Sequence, residues 1–165
     1  MPLPLGHSIR RPRESDYAVI MEAIPRWWRT PNANRVGDML PRLFLQHFTD
    51  TSWLIEAESG ELGAFLIGFY SPSKPEVAYI HFVGVDPELR GTGVARMMYE
   101  LFFEEAKDAG RSEVRAVTGP FNAESQAFHT SLGFTMHGDT SIDGVMAYED
   151  YDGPGDHRVT MSRPL

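Results

Sequence analysis

The stretch from Tyr79 to Ala106 constrains this chain more than any other, because its hydrophobic period changes once and abruptly. Residues 79–85 are nearly all apolar, with His81 as the exception, and predict a buried strand. Asp86-Pro87 ends that strand, since proline brings no N–H to a ladder and favours a turn. Gly91 and Gly93 then supply permissive backbone. From Val94 the apolar residues fall at helical spacing, through Met97, Met98, Leu101 and Phe102 to Ala106. A strand, a glycine loop and a helix in that order aim several amide N–H groups, and the positive end of a helix, at one point. Such a point binds phosphate.

A glycine pair by itself also serves plain chain reversal, so the identity of the loop rests on its spacing. The dinucleotide fingerprint requires a further glycine where Arg96 stands, and the nucleoside-triphosphate loop requires Gly-Lys-Ser/Thr where this chain has Gly93-Val94-Ala95. What remains is Arg90-x-x-Gly93-x-Ala95. A second segment follows it, in which Asn122 suits a helix N-cap and Leu132-Gly133-Phe134 closes the helix, with Gly133 at the left-handed position. A strand-like stretch, 113–118, lies between the two. Together they resemble the GNAT family of N-acetyltransferases, whose acyl-coenzyme A loop reads Arg/Gln-x-x-Gly-x-Gly/Ala. The resemblance covers roughly residues 8–136 and is strongest over 78–134.

The remaining chain fits one α/β domain over residues 1–165, a length sufficient for a self-contained core. Strand 8–12 comes first, followed by a helix capped at Ser15-Asp16 that Pro25 ends or kinks. A loop follows at 30–34, then a helical stripe carrying Val36, Leu40, Leu43, Phe44 and Phe48. Residues 52–57 and 62–70 read as an antiparallel hairpin turning at Ser59-Gly60. The helix after the glycine loop runs to about Ala109, where Gly110 stops it, and a last strand is predicted at 157–162. The family fold, a mixed and mostly antiparallel sheet flanked by helices, agrees with that order.

Composition excludes several chemistries. With 0 cysteines there is no disulfide, no thiolate nucleophile and no thiolate metal site, and the 6 histidines show no metal-ligand spacing. The net charge of −8 argues against a general nucleic-acid surface. The first seven residues lack a basic start and an apolar signal core, and no stretch approaches membrane-spanning length. A cytoplasmic protein without a membrane partner is the expectation.

The resemblance implies acetyl-CoA as co-substrate, with no metal, and a small-molecule amine as acceptor. It implies coenzyme contacts from Arg90, Gly91, Thr92, Gly93, Val94, Ala95 and Arg96, and from Asn122, Ser125 and Phe128. The acyl-pantetheine would lie along Phe82, Val83, Gly84 and Val85, where Gly84 would remove bulk beneath it. An alkylammonium, with a pKa of about 10.4, must lose a proton before it attacks, so a base is needed. His81 shares a strand face with Tyr79 and Val83, and arylalkylamine acetyltransferases of the family carry histidine at the matching position. The alternative is a packed, hydrogen-bonded histidine. Where the family often has a tyrosine to protonate the leaving sulfur, this chain has His129, either the acid or a pocket contact. Trp27, Trp28 and Tyr79 fall in the regions that hold the acceptor in the family, together with an acidic stretch after Phe134 that includes Tyr148 and Tyr151. Acetylation of a protein lysine or N-terminus, and non-catalytic acyl-CoA binding, stay open beside the small-amine reading. A homodimer is compatible with each.

Overall fold

The computed structural model describes residues 3–30 and 33–165. The chain begins with strand β1 (His7–Arg10) and helices α1 (Asp16–Trp27), α2 (Ala33–Gly37) and α3 (Leu43–His47). Strands β2 (Trp53–Ala57), β3 (Leu62–Tyr70) and β4 (Val77–Val85) follow, then helix α4 (Val94–Asp108) and strand β5 (Glu113–Thr118). Helix α5 (Ala123–Ser131) precedes β6 (Thr135–His137), β7 (Thr140–Ile142), β8 (Val145–Ala147) and β9 (Val159–Pro164). A seven-stranded sheet has the order β1-β2-β3-β4-β5-β9-β6, and β7 and β8 form a separate hairpin. The pair β4 and β5 is parallel, whereas β1/β2, β2/β3, β5/β9 and β6/β9 are antiparallel. The fold is therefore α/β with a mixed, mostly antiparallel sheet.

Two compact units divide the residues, and β4 passes from one into the other. In the first unit, residues 1–69 and 80–105, α1 buries Ile20, Ala23, Ile24 and Trp27 in one cluster with Leu40, Leu45, Phe65, Ile67 and Phe82. Trp27 stacks on Phe65 with ring centres 6.0 Å apart. The Arg10 guanidinium ties β1 to α1 and β2 through Asp16 at 2.8 Å and Glu56 at 3.0 Å. In the second unit, residues 70–79 and 106–165, β5 alternates between buried Val114, Ala116 and Thr118 and half-buried Glu113, Arg115 and Val117.

Several expectations change here. Pro25 does not end α1, which continues to Trp27. A proline this close to the C-terminus removes one ladder bond, and the Trp28 N–H still reaches the Ile24 carbonyl at 3.0 Å. The start of α1 is not capped by the Ser15 side chain, and the Asp16 carboxylate accepts the Arg13 N–H at 2.6 Å instead. The single stripe over 36–48 is two short helices, because Pro41 disfavours helical backbone at Leu40 and supplies no N–H. The loop expected at 30–34 falls partly outside the described residues. Beyond Phe134 the acidic stretch holds the β7–β8 hairpin, which acid and glycine content had concealed.

Candidate active site

The glycine loop is built from the end of β4. Its Asp86 N–H donates to the Gly63 carbonyl at 2.8 Å, and the Asp86 carboxylate accepts the Glu88 N–H at 2.9 Å, setting one turn of 3-10 helix over Pro87–Leu89. Gly91 and Gly93 sit at φ +78° and +88°, a region that L side chains enter at a cost of about 1–2 kcal/mol. The first bond inside α4 runs from the Met97 N–H to the Gly93 carbonyl at 3.0 Å. The N–H groups of Val94, Ala95 and Arg96 therefore precede the helix ladder and point along its positive end. The Thr92 hydroxyl donates back to the Leu89 carbonyl at 2.6 Å and braces the turn. Arg90 does something different: its Nη2 donates to the Trp27 carbonyl at 2.9 Å, closing the C-terminus of α1.

On β4, Tyr79, His81, Val83 and Val85 alternate with buried Ile80, Phe82 and Gly84. His81 stacks face to face on Phe44, with ring centres 4.2 Å apart at 4°, and its Nε2 lies 2.5 Å from the Met39 carbonyl. A carbonyl only accepts, so Nε2 carries a hydrogen, and deprotonation of the ring leaves the lone pair on Nδ1. Both the packed and the basic readings of His81 are compatible with that tautomer. The role expected for Gly84 is corrected. A Cβ there would fall 2.6 Å from Phe65 Cε1 and 2.9 Å from Trp28 Cη2, so glycine makes room for the protein's own rings. Trp27, with 4% of its surface exposed, belongs to the core rather than to an acceptor pocket. Trp28 is half-buried against Phe82 at 5.5 Å.

The second unit carries the other predicted residues. Asn122 caps α5, its Oδ1 accepting the Ser125 N–H at 3.1 Å. His129 is buried one turn later, edge-on to Phe128 and Phe134 at 5.7 and 5.2 Å. Its Nδ1–H donates to the Ser125 carbonyl at 2.7 Å. Burial pushes its pKa below the ordinary histidine value, and the Ser125 carbonyl only partly offsets this. A neutral imidazole is the resting form, which favours the pocket-contact alternative over a standing acid.

The parallel ladder between β4 and β5 covers Val77–Tyr79 and stops there, while β4 itself runs on to Val85. Tyr79 also lines a pocket of about 500 Å³ with Glu113, Arg115, His137, Tyr148 and Tyr151. Burial first, and the nearby Tyr151 and Asp152 second, push the Tyr79 phenol up to about 12, so it stays protonated. Arg115, Glu113 and His137 were not singled out from sequence. The alternation of Glu113, Arg115 and Val117 on one strand face was the signal available for the first two. Among the described residues no group of three His, Asp or Glu side chains is arranged to hold a metal ion.

Residues 21–134 match the model of the acetyltransferase (GNAT) family, and the chain belongs to that family. It is 39% identical over 87 residues to the L-2,4-diaminobutyric acid acetyltransferase of Vibrio parahaemolyticus, a match covering 51% of this chain but 45% of that relative. It is 31% identical over 129 residues to the enzyme of the same name from Streptomyces anulatus, covering 75% of this chain and 69% of the relative. The diaminobutyrate acetyltransferase EctA of Paenibacillus lautus, solved with L-2,4-diaminobutyric acid and coenzyme A, superposes with a TM-score of 0.70. That likeness covers 96% of this chain and 95% of the other at 20% identity, and speaks to the fold.

Proposed function

We propose that the chain is an acetyl-CoA-dependent N-acetyltransferase that moves the acetyl group directly onto a primary amine of a small diamino acid, of which L-2,4-diaminobutyric acid is the leading case. The observation that carries the reading is the 90–96 loop, with glycine at two left-handed positions leading into the first turn of α4, in a chain of this family. The relatives named for L-2,4-diaminobutyric acid support the acceptor.

In this reading the amides of Gly91 and of Gly93 through Arg96 hold the coenzyme pyrophosphate, with Asn122, Ser125 and Phe128 as further coenzyme contacts. Acetyl-CoA supplies an activated thioester carbonyl. The β4 backbone over Phe82–Val85, past the end of the ladder, offers N–H groups to the oxygen that becomes negative as nitrogen attacks. His81 removes the ammonium proton through Nδ1, directly or by way of a water. The C–S bond breaks, the new C–N bond forms, and the thiolate takes a proton from solvent, with neutral His129 as a contact in the pocket. With 0 cysteines, no acyl-cysteine forms on the way. Trp28 and Tyr79 are retained as acceptor contacts. A cytoplasmic homodimer belongs to the same reading, and sedimentation tests the dimer. Among the described residues no helix is long and apolar enough to cross a membrane.

The test is release of free coenzyme A from acetyl-CoA on a panel of diamino acids, monoamines and short peptides. Turnover concentrated on diamino acids supports the reading. Turnover on peptides alone would replace it with protein acetylation, and tight acetyl-CoA binding without any turnover would replace it with a binding module.

A further inference from the structure

His81 is held twice by one short segment of the chain, and the two contacts constrain it differently. Its Nε2 lies 2.5 Å from the Met39 carbonyl. Its ring lies parallel to Phe44 within 4°, with ring centres 4.2 Å apart. Met39 follows α2 and Phe44 belongs to α3, so both contacts come from residues 39–44. His81 and that segment all belong to the first unit. The segment is itself fixed. Leu40 and Leu45 are buried at 0% and 1% exposure, in one core cluster with Phe65 and Phe82. The Leu40 N–H donates to the Gly37 carbonyl at 3.0 Å, and the Phe44 N–H to the Pro41 carbonyl at 3.1 Å. Behind Phe44, Phe48 packs at 5.3 Å, and Phe69 packs on Phe48 at 5.1 Å. Moving the Phe44 ring therefore disturbs an aromatic row.

Neither contact orients the imidazole alone. A parallel stack sets the plane of the ring, yet a half-turn about χ2 preserves that plane while exchanging Nε2 for Cε1 and Nδ1 for Cδ2. The bond to Met39 excludes the half-turn, because a carbon then faces the carbonyl. That bond by itself leaves the ring free to tilt about the N–H···O axis, which the stack prevents. Plane, edge and tautomer are all fixed only when both contacts are made. A general base needs this, since one nitrogen must come within hydrogen-bond reach of one proton, and a displacement of about 1 Å costs about 10²-fold in rate.

We infer that Phe44 is a positioning residue for acetyl transfer, acting with the Met39 carbonyl through His81, whose imidazole it holds with Nδ1 as the proton acceptor. The inference rests on the reading of His81 as the base and adds what keeps that base aligned. The packing of His81 and its basic role then become one arrangement.

The experiment places Phe44→Leu and Phe44→Tyr in the wild type and in His81→Ala, with kinetics on acetyl-CoA and the best acceptor of the panel above. Phe44→Leu lowers kcat about ten-fold or more with KM for acetyl-CoA within about three-fold, and Phe44→Tyr, which keeps the ring face, recovers most of the loss. In His81→Ala, Phe44→Leu changes kcat by less than about two-fold, because the group it positions is gone. Nitrogen NMR shifts of His81, read where they stop moving as pH is raised, show the Nε2–H form in wild type and a mixture of both tautomers in Phe44→Leu. Wild-type kcat in Phe44→Leu, an equal loss in the His81→Ala background, or unchanged nitrogen shifts would overturn the positioning role and leave His81 standing as the base. Wild-type kcat in His81→Ala, or no turnover of any acceptor, would instead remove the base reading and this inference with it. Thermal melting of each variant separates loss of fold from loss of alignment.

Discussion

At the scale of single residues, two histidines stand in opposite circumstances. His81 holds Nε2–H against a carbonyl and is proposed to work through Nδ1. General-base catalysis contributes about 10²–10⁴-fold, so His81→Ala should lower kcat by about that factor. Steady-state kinetics of the variant beside wild type check this. His129 is neutral by burial, with its pKa below the ordinary value of 6.5. The unfolded chain then binds the proton that the folded chain refuses, so stability falls as pH drops below that ordinary value and levels off below the folded value. Melting curves of His129→Gln should show a shallower loss of Tm over this range than wild type. Gly84 gives a third expectation. A methyl group there meets Phe65 and Trp28 at under 3 Å, and overpacking of this kind costs about 1–3 kcal/mol. Chemical denaturation of Gly84→Ala should show a loss of that size.

Among elements, the loop and α4 carry the most direct expectation. A side chain at Gly93 is forced into a left-handed conformation at φ +88°, so Gly93→Val should weaken acetyl-CoA binding at least ten-fold by calorimetry. Arg90→Ala, which removes a clip to the Trp27 carbonyl and no amide, should weaken it less. This region was also the most legible in the sequence. The period change at Asp86-Pro87, the glycines and the Asn122 cap are all local signals, and β4, α4, β5 and α5 fall where they pointed. The break between α2 and α3 lies at Pro41, which a reading by apolar spacing alone passes over. What was not legible is tertiary. Nothing adjacent in sequence tells that Gly84 lies under two rings, that Arg90 reaches α1, or that Trp27 rather than Trp28 enters the core.

For the molecule as a whole, the sheet order lets one strand serve two purposes. β4 is tied to β5 over Val77–Tyr79, then continues to the residues that lead into the glycine loop. The match to the family over residues 21–134 spans β4, the loop, β5 and α5 together. The whole-molecule claim is transfer to a small diamino acid, and product mass tests it most directly. Incubated with acetyl-CoA and L-2,4-diaminobutyric acid, the protein should yield one equivalent of free coenzyme A per molecule of acceptor gaining the mass of one acetyl group. Coenzyme A release without acetylated acceptor, or no release at any acceptor concentration, would contradict the account.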